Sequence, residues 1–360
     1  MKFSKIFNKR AFKFSIRCFV SMLVIAFTII TPLQVIPNFL KNKLLASESR
    51  VFDFMGVLEV WHIETFEGGS VSRSSWLEKK GVEFSKLNEG CYLMVNTMSL
   101  EQVKLNLESG KRPNMFSFGI GVGETICNYL SEYKGKVTVR DDLIASGTIN
   151  NKIYAVPYIL GGYAIFSNDE INENLTNVGF GTKDVNNFAV SLLLNNYKIT
   201  LNNECENIDS FSAYDKYINE RTNTLIGTQR DSYRVNNRIS NGKMNNQNIK
   251  YLGEFSDLIQ YISIASCNSK EYAMCQKFIE YLQTKDVQNS LSNINMFSTI
   301  GTKLYSSGYL NEIESQLLNN LKTINVFLND DILMNVRKNA LDYITNKTND
   351  YSYVKKYLLG

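Results

Sequence analysis

The residues with the greatest capacity for chemistry follow the apolar run VLEVW, residues 57–61. His62 is the only histidine of the chain, and Glu64 and Glu67 come shortly after it. A single histidine excludes a metal site built from several imidazoles and leaves one base beside two carboxylates. Paired carboxylates can hydrolyse glycosides, but only closeness in sequence marks these two. The pattern leaves His62 open as a plain strand-end residue and Glu64 and Glu67 open as ligand-binding residues.

A glycine-rich loop, GIGVGE at residues 119–124, is the second feature with chemical meaning. A dinucleotide fingerprint needs G-x-G-x-x-G after the first strand of the fold, whereas this loop follows the third apolar run and has Glu124 in place of the last glycine. Walker-type Gly-Lys-Ser/Thr spacing is also absent from the sequence. The loop is therefore predicted to form a cleft wall, with Gly121 near the ligand, and to enter a helix near Glu124.

An arginine-rich stretch, IGTQRDSYRVNNRISNGK at residues 226–243, is the third. Thr228 and Asp231 have the spacing of a helix capping box, and Arg230, Arg234 and Arg238 recur every four residues. A helix would align the three guanidinium groups in one stripe. The stripe is either a solvated face or a site for an acidic partner or ligand, since guanidinium groups suit carboxylates.

The elements that position these residues alternate between strand and helix. Apolar runs at VLEVW, YLMVN and MFSF are separated by helix-like segments, which predicts parallel strands with right-handed crossovers. Ligands bind beyond the carboxyl ends of such strands, so loops 62–70, 96–99 and 119–125 should converge there. Trp61 ends the first strand, where it either stacks on a ligand or packs in the core.

Further along, NKIYAVPYILGGYAIFSND gives two strand-like runs around Pro157 and the pair Gly161 and Gly162. This is where we expect the chain to pass from one lobe to another. A later strand is predicted from Leu258, followed by an amphipathic helix, and the last 50 residues read as two or three helices.

The N-terminal segment differs in character from the rest. Residues 1–46 contain eight Lys or Arg and no acidic residue, and residues 19–36 form an apolar run. This predicts a signal peptide or signal anchor at 1–46, with the body on the extracellular face of the cell membrane, either anchored or secreted. Of 39 basic residues that leaves 31 against 35 acidic ones, a net charge of −4 that argues against nucleic acid as a partner.

Several segments, in this order, resemble the extracellular solute-binding proteins of ABC importers, in the branch that mostly binds sugars. They are VLEVWHIETFEGG, ESGKRPNMFSFG, IYAVPYILGGYAIFSND and KEYAMCQKFIEYLQTKDVQNSL, which together span about residues 57–300. The sequence departs from that family at Asn114, where an aspartate is usual, and has no lipidation cysteine after the apolar run.

The resemblance implies an α/β fold of the two-lobed type II periplasmic-binding-protein class, with a parallel-sheet core in each lobe and a helical C-terminus. Lobe 1 is then 51–162 plus 259–303, and lobe 2 is 163–258 plus 304–360. It also implies a monomeric binding protein without enzymatic activity or cofactor, which delivers a small solute, most plausibly a carbohydrate, to an ABC permease. Ligand sensing or envelope organisation without transport is the alternative, and an extracellular hydrolase is the third. The predicted ligand-binding residues are Trp61, Glu64, Glu67, Phe118, Gly121, Tyr158, Tyr163 and Arg230.

Overall fold

The computed structural model describes residues 54–66 and 68–360. A first sheet of five strands has the order β2-β1-β3-β12-β6. These strands are Gly56–His62 (β1), Cys91–Thr97 (β2), Met115–Phe118 (β3), Val156–Leu160 (β6) and Ile259–Ile264 (β12). The first three are parallel to one another, as the sequence predicts, and β12 is antiparallel to both β3 and β6.

The helices that connect these strands form where the periodicity predicts them. The first, α1 (Arg73–Leu87), buries Trp76, Leu77 and Phe84, and the second, α2 (Leu100–Glu108), starts at a complete capping box between Ser99 and Gln102. The later helix Ser269–Leu282 covers the same lobe with Cys275, Phe278, Ile279 and Leu282. Apolar residues three and four apart lie on one helix face, so each helix covers the sheet with one stripe.

A second sheet of five strands has the order β11-β7-β10-β8-β9. Its strands are Tyr163–Ser167 (β7), Asn174–Gly179 (β8), Lys198–Leu201 (β9), Thr224–Thr228 (β10) and Asn248–Leu252 (β11). The neighbours β10, β8 and β9 are parallel, and β7 is antiparallel to β10 and β11. Each sheet thus has the expected parallel core of three strands. Antiparallel strands are added to this core, because strands next to a lobe crossing run back against their neighbours.

The remaining elements complete the two lobes. The helices are Gly123–Ile126 (α3), Asp141–Ile144 (α4), Phe188–Leu194 (α5), Ser210–Ile218 (α6), Gln229–Ser240 (α7), Ser269–Leu282 (α8), Lys285–Asn289 (α9), Gly308–Leu317 (α10), Asp330–Ile344 (α11) and Ser352–Tyr357 (α12), and the short strands are Thr148–Ile149 (β4), Lys152–Ile153 (β5), Thr323–Ile324 (β13) and Leu358–Leu359 (β14). Within residues 54–66 and 68–360 no helix combines the length and apolar character of a membrane span. The predicted signal or anchor at 1–46 lies outside the described residues.

Two chain segments connect the lobes side by side. The chain leaves β6 for β7 through Gly161 and Gly162, and it returns from β11 to β12 through residues 253–258. The Gly161 N–H donates to the Leu258 carbonyl at 2.7 Å, and the Ser256 hydroxyl donates to the Gly161 carbonyl at 2.8 Å. The predicted lobe boundaries stay a prediction, with β1, β2, β3, β6 and β12 inside the first predicted lobe and β7 to β11 inside the second.

Gly162 is held by Gln229 at the start of α7. The Gly162 N–H donates to Gln229 Oε1 at 2.8 Å, and the Gln229 backbone N–H donates to the Gly162 carbonyl at 3.0 Å. A side chain at Gly161 would come within 2.9 Å of the Gln229 amide nitrogen, and one at Gly162 within 2.8 Å of Ile313 Cγ2. Close packing, rather than an unusual φ angle, therefore requires glycine at both positions.

Candidate functional site

A cavity of about 350 Å³ lies between the two lobes, at the carboxyl end of β1. The first lobe contributes one wall, made of Glu64, Thr65 and Phe66. The second lobe contributes the other wall from three places, and Leu258 of the return crossing closes the base. Its volume falls near the lower end of the range of about 300–1,000 Å³ for small-molecule sites.

The first wall begins where β1 ends. His62 Nε2 lies 3.4 Å from Glu64 Oε1, and His62 Nδ1 is 2.8 Å from the Ser117 hydroxyl of β3. Burial lowers the pKa of His62, so the imidazole is neutral, and its contact with Glu64 lowers the pKa of that carboxyl to about 2. Glu64 is therefore an ionised carboxylate held in place by a neutral imidazole.

A buried arginine holds the next part of this wall. Arg73, at the start of α1, is completely buried, and its Nη1 donates to Gln260 Oε1 of β12 at 2.9 Å. Its Nη2 donates to the Phe66 carbonyl, and the guanidinium carbon lies 3.7 Å from the centre of the Phe66 ring. Burial lowers the pKa of Arg73 to about 10. The loop that carries Phe66 is thus fixed to the core from below.

The second wall starts with the segment between β8 and α5. Asp184, Asn186 and Phe188 line the cavity. The neighbouring Asn187 donates through its backbone and its side chain to Asp257 Oδ2, at 2.8 Å and 2.7 Å. Asp257 belongs to the return crossing and is fully buried, which raises its pKa. These hydrogen bonds therefore connect this part of the wall directly to the return crossing between the lobes.

Two helix starts complete the second wall. Asp209 is the N-cap of α6 and accepts the Ser212 N–H at 2.7 Å, and Phe211 projects from the first turn with 64% of its surface exposed. At the other helix start, Thr228 and Asp231 form the predicted capping box of α7, in which Asp231 accepts the Thr228 N–H at 2.9 Å. Helix starts place backbone N–H groups and short polar side chains toward the cleft.

Arg230 connects the two walls. It lies in the first turn of α7 in the second lobe, and its Nη1 donates to the Gly69 carbonyl in the loop after β1. The next arginine of the predicted stripe, Arg234, is 3.2 Å from Asp231 Oδ1 and faces the Tyr214 ring. The helix aligns the stripe as predicted, and its first member contacts the opposite lobe.

Of the predicted ligand-binding residues, Glu64 lines the cavity. Trp61 does not line the cavity. It is 2% exposed, its indole N–H donates to Glu59 Oε1 at 2.9 Å, and its ring packs edge-on against Phe116 with 5.8 Å between the ring centres. The placement of Trp61 as a stacking face therefore does not fit the structure. The last three residues of β1 are all buried, because the sheet is covered on both faces.

The other predicted aromatic residues are also core residues. Phe118 packs between Tyr261 and Phe327, the Tyr158 hydroxyl bonds Ser117 at 2.8 Å, and the Tyr163 hydroxyl donates to Asp257. All three have no exposed surface. Gly121 lies in a left-handed turn at φ +84° that packs on Val185, next to the second wall but outside the cavity lining. Glu67 lies outside the described residues.

Most residues of the second wall were not predicted from the sequence. Its members lie in the segments DVNNF and DSF, where an aspartate precedes a phenylalanine shortly before or within the first turn of a helix. In DSF, the available signal was Asp209 at the N-cap position ahead of Phe211. DVNNF carries no such signal, because Asn187 and not Asp184 is the N-cap of α5. Within the described residues no group of three or more His, Cys, Asp or Glu has the geometry of a metal site.

Comparisons with solved structures identify the fold. The sugar-binding protein MalE from Xanthomonas citri matches 84% of this chain and 95% of its own at 10% identity, with a TM-score of 0.58. The GacH receptor of Streptomyces glaucescens, solved with acarbose, matches 84% of this chain and 96% of its own at 10% identity and a TM-score of 0.57. The galacto-N-biose/lacto-N-biose I-binding protein of Bifidobacterium longum matches 81% of this chain and 92% of its own at 9% identity and 0.56.

The chain therefore has the two-lobed α/β fold of solute-binding proteins, as the sequence analysis expected. No protein-family model matches the sequence, and no curated protein matches it at the sequence level. Identities near 10% establish the fold alone, and a fold by itself does not determine a ligand.

Proposed function

We propose that this protein binds a small carbohydrate between its lobes for delivery to an ABC importer. The observation that carries the proposal is the composition of the cavity, in which carboxylates and phenylalanine rings converge from both lobes. Carboxylate oxygens accept hydrogen bonds from sugar hydroxyl groups, and aromatic rings pack against the apolar faces of sugar rings. The structurally similar proteins that bind sugars or oligosaccharides support the same assignment.

Binding rather than hydrolysis is the activity we propose. Glu64 has a pKa lowered to about 2, which suits a permanent hydrogen-bond acceptor and not a general acid that must hold a proton near neutral pH. The buried His62 is neutral, and its Nε2 lies 3.4 Å from this carboxylate. A glycoside hydrolase would need one carboxyl group with a raised pKa in the cavity. The pKa of Asp257 is raised, but this residue is fully buried in the return crossing.

The proposed site of action is the extracellular face of the cell membrane, with an ABC permease as partner and a monomer as the working form. The basic and apolar N-terminal segment supports export. We expect it to remain as an uncleaved anchor, and N-terminal sequencing of the cell-associated protein tests this. A mature terminus near Ser47 would show that the segment is removed.

The primary test is a thermal-shift screen of the full chain against monosaccharides, disaccharides, polyols and short peptides. A bound ligand at 100 times its Kd stabilises the folded state by roughly 2.7 kcal/mol, which gives a clear shift. We expect hits among the saccharides. A screen in which only peptides stabilise the protein would reject a carbohydrate as the ligand.

A further inference from the structure

The charge of the cavity points to a narrower class of ligand. Four of the twelve lining residues are acidic, namely Glu64, Asp184, Asp209 and Asp231, and none is Lys or Arg. Asp231 is neutralised by Arg234 at 3.2 Å. Among the described residues, neither Glu64 nor Asp209 forms an ion pair with a lysine or arginine. Arg73 acts on Glu64, and Lys183 acts on Asp209, only from longer range. Each wall therefore presents a carboxylate without a direct ion pair.

The nearby basic groups are directed elsewhere. Arg230 donates to the Gly69 carbonyl, and Arg337 donates to the Val185 carbonyl at 2.8 Å. Arg73 is buried beneath Phe66 and bonds the Phe66 carbonyl and Gln260. These guanidinium groups lie behind the walls, so a ligand in the cavity meets carboxylates first. An anionic ligand would be repelled at short range.

A second, independent observation is a buried hydrogen-bond donor of the protein that has no acceptor. Asn186 lines the cavity and is 3% exposed, yet its Nδ2 has no hydrogen-bond partner among the described residues. A buried amide donor without an acceptor is costly. An occupant that offers an oxygen acceptor to Asn186 and donors to the carboxylates would remove this cost.

Aromatic surface supplies the third requirement. Phe66 is fixed from below by Arg73, and Phe211 is 64% exposed on the opposite wall. Rings of this kind pack against flat apolar surfaces, such as the C–H face of a sugar ring. A plain alkylamine has no acceptor for Asn186, and a neutral sugar leaves both carboxylates without a direct ion pair once the lobes exclude water.

We propose that the cavity binds an amino sugar, a saccharide of one or two rings with a protonated amine, between Glu64 and Asp209. This inference rests on the proposed carbohydrate function and specifies its ligand. The ammonium group forms the ion pairs that Glu64 and Asp209 lack, a hydroxyl or ring oxygen accepts from Asn186, and the ring face packs on Phe66 or Phe211. Uronic acids are excluded by charge.

The test measures the affinity of the full chain for matched saccharides by calorimetry, at a pH below the pKa of the sugar amine. The panel contains glucosamine, N-acetylglucosamine, glucose and glucuronate, the galactose and mannose counterparts, and the β-1,4-linked dimers. We expect at least one amino sugar to bind about tenfold or more tightly than its neutral counterpart, as one charge–charge contact allows. Added salt should reduce this difference.

Asp209→Asn is the informative variant. Asparagine caps a helix as well as aspartate does, so the variant keeps the contact with the Ser212 N–H and removes only the charge. We expect about tenfold weaker amino-sugar binding and a smaller loss for a neutral sugar, so that the preference for the amino sugar shrinks. Asp215→Asn is the matched control, because Asp215 is exposed on the same helix but does not line the cavity.

Each outcome decides between the two proposals. Equal affinity for amino and neutral sugars, or preference for a uronic acid, refutes the amino-sugar inference and leaves carbohydrate binding in place. An Asp209→Asn variant that binds the amino sugar as tightly as the native chain also refutes it. The absence of binding by every saccharide in the panel overturns both.

Discussion

Replacement of Trp61 by alanine distinguishes the core placement of this residue from a role in ligand binding. The indole is 2% exposed, packs edge-on against Phe116 at 5.8 Å and donates to Glu59 at 2.9 Å. Truncation of a buried aromatic residue to alanine costs about 3–5 kcal/mol. The lost hydrogen bond is part of this cost, whereas Trp61→Phe keeps most of the packing and loses about 1 kcal/mol with the bond.

The assay is urea unfolding followed by far-ultraviolet circular dichroism, with saccharide binding measured under conditions where each variant is folded. We expect Trp61→Ala to unfold at much lower urea, Trp61→Phe to lie between it and the native chain, and both to bind saccharide with native affinity. If Trp61→Ala were as stable as the native chain but bound saccharide tenfold more weakly, the indole would contact the ligand and the core placement would be wrong.

Three further predictions concern the loop after β1 and the contact between the lobes. Gly69→Ala places a Cβ 1.9 Å from the Ile294 carbonyl oxygen, so we expect a loss of about 1–3 kcal/mol in urea unfolding and weaker saccharide binding; native values for both would show that the loop adapts freely. The pKa of Glu64 is about 2 in the folded chain against an ordinary value of 4.5, so its stabilising contribution is present above pH 4.5 and is lost as the pH falls toward 2. The melting temperature of Glu64→Gln should therefore approach that of the native chain as the pH falls over that interval. A constant difference between the two would contradict the assignment. Arg230→Ala removes the hydrogen bond to the Gly69 carbonyl. Small-angle scattering should therefore show a larger radius of gyration without saccharide and a return to the native value with saturating saccharide. An unchanged radius without saccharide would mean that this contact does not hold the lobes together.

Sequence patterns predicted the first lobe better than the second. The strands β1, β2 and β3 are apolar runs and were found where expected, and so were α1, α2 and α8. The strands β8, β9 and β11 have the sequences NLTNVG, KITL and NIKYL, which are short and partly polar. Such strands form because a neighbouring strand offers hydrogen bonds, and this context is not visible in the segment itself.

The lack of this folded context also explains why most of the candidate site was not predicted from the sequence. The sequence analysis placed ligand contacts at the end of β1, and Glu64 lines the cavity there. Trp61, Phe118, Tyr158 and Tyr163 are instead inside strands whose two faces are covered. Aromatic residues within such strands pack in the core, and the cavity is lined by residues beyond the strand ends. The second wall joins segments near residues 184, 209 and 231, and only the folded second lobe brings them together.

The paired crossings limit how the lobes can move. Hydrogen bonds from Gly161 to Leu258 and from Ser256 to Gly161 hold the two segments against each other, and Tyr163 joins them again through Asp257. A single connecting segment would permit both swinging and twisting, whereas twisting two linked segments about each other would break these buried bonds. We therefore expect the lobes to move by bending about one axis, so that one angle would describe every state from open to closed. A solute that bridges Glu64 and Asp209 would fix that angle, and the proposed permease would then recognise the loaded protein from the separation of two surface points on opposite lobes.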